Sequence, residues 1–297
     1  MNDVMIEVAH LSHTYTTAPV KKKALDDVSM QIPRGECVAV IGFNGSGKST
    51  LVQHFNGLLR PTPGSVRVDG VDVGGAQVNL RALRQKVGML FQFPESQLFA
   101  STIYQDVAFG PQRMGLGRHE LRARVKHALD IVGLPLQDYG QRSPFELSGG
   151  QRRRVALAGI LAMTPRVLIL DEPSVGLDGE GRAEFYAYLQ RVRQEQGVTT
   201  ILVSHDMAEV AAIADGLYVL HHGKLVMQGT PASVFAQSEQ LRRWDLAAPP
   251  LHELLAALRQ RGIALPEDVM SVEDAFHFLQ QTQKQKQKQL PDVSSRS

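Results

Sequence analysis

The chain has 297 residues, of which 43% are hydrophobic and 21% charged, a composition typical of a globular protein with a sizeable core. Its formal net charge is +2, but residues 284–297 carry four basic side chains and one acidic one, which leaves −1 for the remaining chain. This balance excludes a broadly basic nucleic-acid-binding body, and residues 282–297 are predicted to form a disordered Lys/Gln tail.

Membrane-spanning, secretory and cysteine-based features are also not expected. No run of about 18 apolar residues occurs, so the chain is not expected to span a membrane by itself. The first residues lack the charged and then apolar segments of a secretory signal. The single cysteine, Cys37, excludes an intrachain disulfide and a cysteine-cluster metal site.

The first third of the chain is predicted to form short strands around a glycine-rich loop. Apolar or alternating runs predict strands at 6–8, 28–32, 37–41, 65–68 and 87–91. After the loop, Leu51, Val52, Phe55 and Leu58 recur on one side of a predicted helix that ends near Gly57.

The middle of the chain is predicted to be helical, and strands return after it. Apolar residues recur at helical spacing from about 95 to 165. Further apolar strands are predicted at 167–170, 200–203 and 217–220. Alternating strands and helices favour an α/β fold with a mostly parallel sheet and a helical insertion.

A helical appendage is predicted at the C-terminal end. The pair Pro249–Pro250 marks a break in the pattern, and Leu254, Leu255 and Leu258 then form the apolar face of a helix. We therefore predict a C-terminal helical extension over residues 241–281.

The glycine-rich loop is the most informative segment of the chain. It consists of Gly42, Phe43, Asn44, Gly45, Ser46, Gly47, Lys48, Ser49 and Thr50, between a strand and a helix. Glycines let backbone N–H groups turn onto phosphate oxygens, Lys48 can reach the β and γ phosphates, and the Ser49 hydroxyl can ligate Mg²⁺. The anion then lies at the positive end of the following helix. This segment predicts binding of a nucleoside triphosphate.

An acidic pair, Asp171 and Glu172, follows the apolar strand at 167–170. Ligands of parallel α/β sheets bind at the carboxyl ends of the strands. Asp171 is expected to hold Mg²⁺ through water, and Glu172 to act as the general base on the attacking water, a role typically worth ~10²–10⁴ in rate. Many strands end in acidic turns, and such a pair alone is therefore weak evidence for a catalytic site. Here it is strong evidence, because a phosphate loop precedes it in the same chain.

A second phosphate-binding surface is predicted at Ser148, Gly149, Gly150 and Gln151, which follow Leu147. The serine hydroxyl and the glycine N–H groups at a helix start suit an anion. The alternative is a plain helix cap, since serine is a good N-cap residue. One nucleotide needs only one phosphate loop, so the second surface is expected to serve the nucleotide of another subunit.

Together these motifs resemble the nucleotide-binding subunit of an ATP-binding cassette (ABC) transporter, over roughly residues 5–235. The resemblance implies a P-loop NTPase, ABC-type domain with a mostly parallel sheet and antiparallel N-terminal strands. It also implies ATP and Mg²⁺ as cofactors. Two subunits, identical or different, would face head to tail, with each ATP between residues 42–50 of one and Ser148–Gln151 of the other.

The resemblance also assigns roles to four residues outside the main motifs. Gln92 would contact Mg²⁺ and the attacking water and sense the membrane partner, and His205 would contact the γ-phosphate. Asp178 would cross the dimer interface. Tyr15 resembles the aromatic residue that stacks on adenine; the alternative is that it only packs in an N-terminal strand.

A narrower resemblance follows Gln92. Residues 93–99, Phe-Pro-Glu-Ser-Gln-Leu-Phe, look like the short helix of energy-coupling factor (ECF) transporters, importers of vitamins and of cobalt or nickel ions. Residues 106–111 and 144–146 fit the same group, and the chain is most similar to the second of its two ATPase types. Gly179 departs from the pattern, because this group commonly has proline there.

The resulting functional prediction is an ATPase subunit of an ECF importer, peripheral at the cytoplasmic face of the cell membrane. A membrane-embedded coupling protein would contact Pro94, Glu95, Gln97 and Leu98, and through it a substrate-binding membrane protein would be reached indirectly. No nucleic-acid partner is predicted. The runner-up is the ATPase of an ordinary ABC importer, ahead of a soluble ABC ATPase acting on DNA or ribosomes and of a P-loop kinase or GTPase.

Two details complete the prediction. The chain is divided into an ATPase domain at 5–240, with a helical subdomain at about 95–165, the extension at 241–281 and the tail at 282–297. The basic triplets Lys21–Lys23 and Arg152–Arg154 are expected to be solvated faces.

Overall fold

The computed structural model describes residues 3–16, 21–261, 275–278 and 280. The predicted tail at 282–297 and most of the second half of the extension at 241–281 lie outside these residues. Within the described part, no helix combines the length and the apolar character needed to cross a membrane.

Ten strands occur in the described residues. In chain order they are β1 (Val4–Tyr15), β2 (Lys22–Pro33), β3 (Cys37–Ile41), β4 (Ser65–Val68), β5 (Val71–Asp72), β6 (Val87–Leu90), β7 (Val167–Asp171), β8 (Thr199–Val203), β9 (Gly216–His221) and β10 (Lys224–Gly229). The first two are longer than the sequence predicted because they pair along most of their length as one antiparallel ribbon.

The α-helices of the same described part are α1 (Lys48–Phe55), α2 (Leu80–Lys86), α3 (Ile103–Arg113), α4 (Arg118–Ile131), α5 (Leu136–Tyr139), α6 (Gly149–Leu161), α7 (Gly179–Gln196), α8 (Met207–Ile213), α9 (Pro231–Phe235), α10 (Ser238–Arg242) and α11 (Pro250–Gln260). Short 3₁₀ helices cover Pro94–Gln97 and Pro144–Glu146. Helices α3 to α6 lie within the predicted helical insertion.

The strands form two sheets. One has the order β2-β1-β4-β5 and is antiparallel, and the other has the order β10-β9-β3-β8-β7-β6. In the second sheet only the β9–β10 pair is antiparallel, and every other neighbouring pair is parallel. The predicted fold class, an α/β domain with a mostly parallel sheet and antiparallel N-terminal strands, is confirmed.

Strand β3 lies between two hydrophobic cores, and all five of its residues are buried. Because alternate side chains point to opposite faces of a strand, Ala39 and Ile41 enter one core and Val38 and Val40 the other. The first core is filled mainly by helices, including α4 and α6, and the second by the antiparallel sheet and α1. Burial on both faces explains the continuous apolar run in the sequence.

Two predicted apolar contacts are wrong. Helix α1 ends at Phe55, so Leu58 lies beyond it and is 47% exposed rather than packed on its apolar face. Leu254 is 55% exposed, whereas its neighbour Leu255 is 1% exposed, because successive residues of α11 face different directions.

The predicted boundary at residue 240 falls inside α10. Leu241, Leu246 and Ala248, from the predicted extension, belong to the same core as the helical face of the parallel sheet. The division of the chain at this point therefore stays a prediction.

Asp69, in the turn between β4 and β5, connects the two sheets. Its carboxylate accepts hydrogen bonds from Arg34 Nη2 at 3.0 Å, Lys86 Nζ at 2.9 Å and Arg166 Nη1 at 2.7 Å. Lys86 and Arg166 directly precede β6 and β7 of the parallel sheet. Burial alone would raise the pKa of Asp69, but the hydrogen bonds from Lys86 and Arg34 outweigh it and lower the pKa to about 2.

We expect Asp69→Asn to lower the free energy of unfolding at pH 7 by about 1–2 kcal/mol, because three cations lose their shared carboxylate. A depressed folded-state pKa contributes stability that is present above the unfolded pKa of about 4 and is lost as pH falls toward 2. The difference in free energy of unfolding between Asp69→Asn and wild type, measured by urea unfolding, should therefore shrink as the pH is lowered through this range. The control is Glu7→Gln, an exposed carboxylate of β1; a pH-independent Asp69 difference would contradict the assignment.

Candidate functional site

Four parallel strands end at one edge of the sheet, and each is followed by a polar segment. The phosphate loop follows β3, Gln92 lies two residues after β6, β7 ends at Asp171, and His205 lies two residues after β8. Since the carboxyl ends of parallel strands meet at the same edge, residues far apart in the sequence come together there.

These residues line one cleft of about 750 Å³. The predicted site residues on its walls are Tyr15, Gly42, Phe43, Asn44, Gly45, Gly47, Lys48, Ser49, Thr50, Gln92, Asp171, Glu172 and His205. Ser46 is 4% exposed and lies under the loop rather than on the wall. Asp245, Leu246 and Ala247 also line the cleft. Sequence reasoning missed these three because no local pattern predicts a tertiary contact of the C-terminal part.

The loop backbone requires glycine at two positions. Gly42 has φ +154° and Gly47 has φ +107°. A Cβ atom would lie 2.2 Å from the Leu220 carbonyl oxygen at Gly42 and 2.4 Å from the Ala24 carbonyl oxygen at Gly47. Gly47 also precedes α1 without a side-chain cap, so the first N–H groups of this helix are available to an anion in the cleft.

Lys48 lies along the inside of the loop. Its Nζ donates to the carbonyl oxygens of Gly42 at 2.7 Å and Phe43 at 3.2 Å, and the residue is 7% exposed. Burial lowers the pKa of Lys48, whereas the negative charges of Glu172 and Asp171 act in the opposite direction. The ammonium group thus bonds to the loop and is attracted by the two carboxylates.

Ser49, Gln92 and Asp171 supply hydroxyl, amide and carboxylate oxygens to one cleft. Burial raises the pKa of Asp171, and a hydrogen bond from Ser49 opposes that rise. Among the described residues, no three His, Cys, Asp or Glu side chains converge as a metal cage. Hydroxyl, amide and carboxylate oxygens suit Mg²⁺, which is usually bound through one or two carboxylates together with substrate phosphates.

Glu172 and His205 are hydrogen-bonded to each other, with His205 Nδ1 next to the Glu172 carboxylate. Glu172 has φ +52°, in the left-handed region, and its N–H donates to the Val203 carbonyl oxygen at 2.8 Å. That bond to the end of β8 fixes the unusual backbone. Two side chains from neighbouring strands therefore meet at the cleft.

Tyr15 ends β1 at the rim of the cleft. Its hydroxyl lies 3.2 Å from Thr50 Oγ1, and its ring is in edge contact with His13 at a centroid distance of 4.7 Å. The residue is 37% exposed. These contacts fix the ring next to the phosphate loop, as a base-stacking residue would require.

The second predicted phosphate-binding surface lies apart from this cleft. Ser148 and Gln151 form a capping box at the start of α6: Ser148 Oγ accepts from Gln151 N–H at 3.2 Å, and Gln151 Oε1 accepts from Ser148 N–H at 3.1 Å. A separate cleft is lined by Ser148, Gly150, Gln151 and Asp178 but by no residue of 42–50. The structure therefore does not bring the two predicted phosphate surfaces together within one chain.

The two glycines of the second surface are not required by internal packing. A Cβ atom at Gly149 or Gly150 would meet no atom of the described chain within 4 Å. Asp178 is the N-cap of α7, where its carboxylate accepts from Gly181 N–H at 2.8 Å. This open face, next to a helix start, can be approached by a ligand held elsewhere.

Two buried polar side chains that sequence reasoning missed hold residues 173–178, which connect Glu172 to Asp178. Arg153 was predicted to be solvated, but its side chain is 7% exposed and Nη1 donates to the carbonyl oxygens of Pro173 and Val175, both at 2.8 Å. The signal was present, because Arg153, Leu157 and Leu161 repeat at helical spacing and all three are buried.

On the other side of this connection lies Glu209, which is 2% exposed. Its Oε2 accepts hydrogen bonds from Ser174 Oγ at 3.0 Å and from Ser204 Oγ, next to His205. Burial raises the pKa of Glu209, which favours the neutral carboxyl. The segment before Asp178 is thus fixed relative to the end of β8.

Comparison with known protein families gives a consistent result. The family described as ABC transporter matches residues 25–175. The energy-coupling factor transporter ATP-binding protein EcfA2 of Symbiobacterium thermophilum is 52% identical over 268 residues, covering 89% of this chain and 92% of the relative. The EcfA2 of Clostridium tetani is 46% identical over 271 residues, covering 91% and 94%.

Solved structures agree with these relatives. The cbiO1 protein of Clostridium perfringens, described as part of the ABC transporter complex cbiONQ, is 39% identical with a TM-score of 0.73 over 85% of this chain and 99% of that one. The ATP-binding cassette MJ0796, solved as a dimer bound to ADP and Pi, is 27% identical with a TM-score of 0.68 over 76% and 99%. The phosphate loop, the acidic pair, the separate Ser148 surface and these similarities lead to one conclusion: the chain belongs to the ABC transporter family, with the ATP-binding proteins of energy-coupling factor transporters.

Proposed function

We propose that this chain binds and hydrolyses ATP to power an ECF importer at the cytoplasmic face of the membrane. The observation that carries the proposal is the separation of the two phosphate-binding surfaces. A cleft with a complete phosphate loop lacks Ser148, and Ser148 lies in a second cleft without a phosphate loop. Each surface is useful when a second ATPase subunit supplies the other, and the dimeric form of MJ0796 supports such a pairing.

In this proposal different residues of the cleft contact different parts of ATP. Tyr15 stacks on adenine, the loop at 42–50 holds the phosphates, and Lys48 neutralises the β and γ phosphates. Ser148–Gln151 and Asp178 of the second subunit complete the γ-phosphate site. The second subunit is either another copy or a related ATPase.

Hydrolysis is assigned to Glu172 and His205. The Glu172 carboxylate accepts a proton from the attacking water, and His205, which hydrogen-bonds to that carboxylate, keeps it oriented and contacts the γ-phosphate. Ser49, Gln92 and Asp171 are the residues that would hold Mg²⁺. When bound, this ion supplies positive charge that stabilises the phosphate oxygens.

Coupling to a membrane protein is proposed at a groove of about 530 Å³ beside the 3₁₀ helix at Pro94–Gln97. Gln97, Leu98 and Phe109 line the groove together with α6 residues. Phe99, 61% exposed, is in edge contact with Phe109 at a centroid distance of 5.0 Å. Apolar side chains line this groove together with Arg81, Arg84 and Arg113, and such a mixed lining suits an amphipathic helix of a membrane-embedded coupling protein.

The four residues predicted to contact this partner differ in exposure. Pro94 and Leu98 are buried, Glu95 is half-buried and Gln97 is exposed. Pro94 therefore begins the 3₁₀ helix and Leu98 forms part of the groove wall, which leaves Glu95 and Gln97 as the polar groups that a partner can reach. A substrate-binding membrane protein would be reached only through the coupling protein.

The cargo is proposed from the family resemblance to be a vitamin or a transition-metal ion. An ordinary ABC importer is the alternative. The 3₁₀ helix after Gln92, which contains Glu95 and places Gln97 on the groove wall, favours the ECF class.

Glu172→Gln is expected to lower the rate of ATP hydrolysis by about 10²–10⁴ while ATP still binds, because the phosphate contacts remain and the general base is lost. Hydrolysis should be measured with the partner subunit present and its own site inactivated. Glu120→Gln, an exposed residue of α4, is the matched control. Near wild-type hydrolysis by the Glu172 variant would rule out the assigned role.

Ser148→Arg is expected to impair hydrolysis in the ATPase dimer with less than about a threefold change in ATP affinity of the isolated chain. The reason is geometric, because Ser148 does not line the cleft that contains Lys48. Fluorescent-nucleotide titration of the isolated chain measures the affinity. A large loss of affinity there would argue against a site shared between subunits.

Changing Glu95 and Gln97 together to alanine is expected to leave basal hydrolysis by the ATPase dimer largely intact and to reduce ATP-driven uptake by the assembled transporter at least fivefold. The reason is that Gln97 lines the groove, Glu95 belongs to the same short helix, and neither residue lines the ATP cleft. The control pair is Glu120→Ala with Gln190→Ala, both exposed on α4 and α7. Unchanged uptake would remove the coupling role, and equal losses would make the segment structural.

A further inference from the structure

Arg153 stands where three segments meet. It belongs to α6, two residues after Gln151, and its Nη1 donates to two carbonyl oxygens of residues 173–178. On the opposite side its Nη2 lies 3.6 Å from Glu95 Oε2, in the 3₁₀ helix beside the groove. One guanidinium group therefore contacts both the proposed partner surface and the connection that ends at Asp178.

The two contacts of this guanidinium differ in strength. The hydrogen bonds from Nη1 to the two carbonyl oxygens are short, at 2.8 Å. The distance of 3.6 Å between Nη2 and the Glu95 carboxylate is that of an ion pair and is too long for a hydrogen bond. Within the described part of the chain, Glu95 Oε2 and Arg153 Nε are buried and lack hydrogen-bond partners. A carboxylate with an unused acceptor atom is able to turn toward a donor from another protein.

The environment makes Arg153 sensitive to such a movement. Its side chain is 7% exposed and that of Glu95 is 24% exposed, so the attraction between them is only weakly screened by water. When Glu95 turns away, the buried cation loses its counter-charge and depends more strongly on the carbonyl oxygens of Pro173 and Val175. Ser174, between them, is held from the other side by Glu209.

We propose that Arg153 is a positioning residue. When the membrane partner binds at Glu95, Arg153 transmits this binding to residues 173–178 and so to Asp178 at the proposed subunit interface. The proposal rests on the function proposed above. The role is assigned to Arg153 and not to its neighbour Arg154. The Arg154 side chain bonds to Tyr188 and Val132 and does not bond to residues 173–178.

The test compares Arg153→Lys with Arg154→Lys in the complete transporter, reconstituted in vesicles with its membrane partners. Lysine keeps the charge but cannot bond two carbonyl oxygens in the planar geometry of arginine. For Arg153→Lys, the loss of uptake should exceed the loss of hydrolysis by the free ATPase dimer at least fivefold. For Arg154→Lys, uptake and hydrolysis should fall in equal proportion or not at all. Adding Glu95→Gln to Arg153→Lys should cause no further loss of uptake, since both act in one relay.

Equal losses of uptake and free-dimer hydrolysis would make Arg153 structural and overturn the inference. Independent, multiplying losses for Glu95→Gln and Arg153→Lys would also overturn it. Absence of ATP-driven uptake by the wild-type transporter would overturn the proposed function as well. Wild-type uptake with either of the two results above would overturn only the inference on Arg153.

A second measurement needs no Arg153 variant. Hydrogen exchange of residues 173–178 is compared in the wild-type ATPase dimer and in the complete transporter, both without nucleotide. The inference requires the exchange rate of this segment to change on assembly and the change to disappear with Glu95→Gln. Identical exchange in the two wild-type samples overturns it.

Discussion

The site depends on one constraint, the meeting of parallel strands at a common edge of the sheet. Strands β3, β8, β7 and β6 are neighbours in the sheet although long stretches of chain separate them in the sequence. Their carboxyl ends place a phosphate loop, a histidine, two carboxylates and a glutamine around one cleft. The helices and the antiparallel sheet bury the two faces of this sheet and keep its edge fixed.

Sequence reasoning was most successful where local chemistry determines the backbone. Continuous apolar runs predicted the buried parallel strands, and the loop before α1 needs glycine because any Cβ at Gly47 would strike the Ala24 carbonyl. It was least successful for tertiary contacts. The presence of Asp245 in the cleft depends on elements distant in sequence, which composition and periodicity do not report. The burial of Arg153 was missed although its spacing with Leu157 and Leu161 indicated it.

Residues 173–178 show how a short irregular segment can be made rigid without secondary structure. The Arg153 guanidinium donates to its carbonyl oxygens on one side, and the buried Glu209 carboxyl accepts from its serine hydroxyl on the other. Because Glu172 precedes the segment and Asp178 ends it, the cleft that contains Lys48 and the separate Ser148 cleft share a single backbone connection.

The position of Cys37 has a practical consequence. The thiol lies in the central strand β3 at 2% exposure, and burial raises its pKa to about 12, so almost no reactive thiolate exists at neutral pH. As this is the only cysteine of the chain, a cysteine introduced on the surface would be selectively labelled. Fluorophores or spin labels can therefore be attached beside either cleft while the native thiol is kept, and distances between subunits measured in an otherwise unaltered protein.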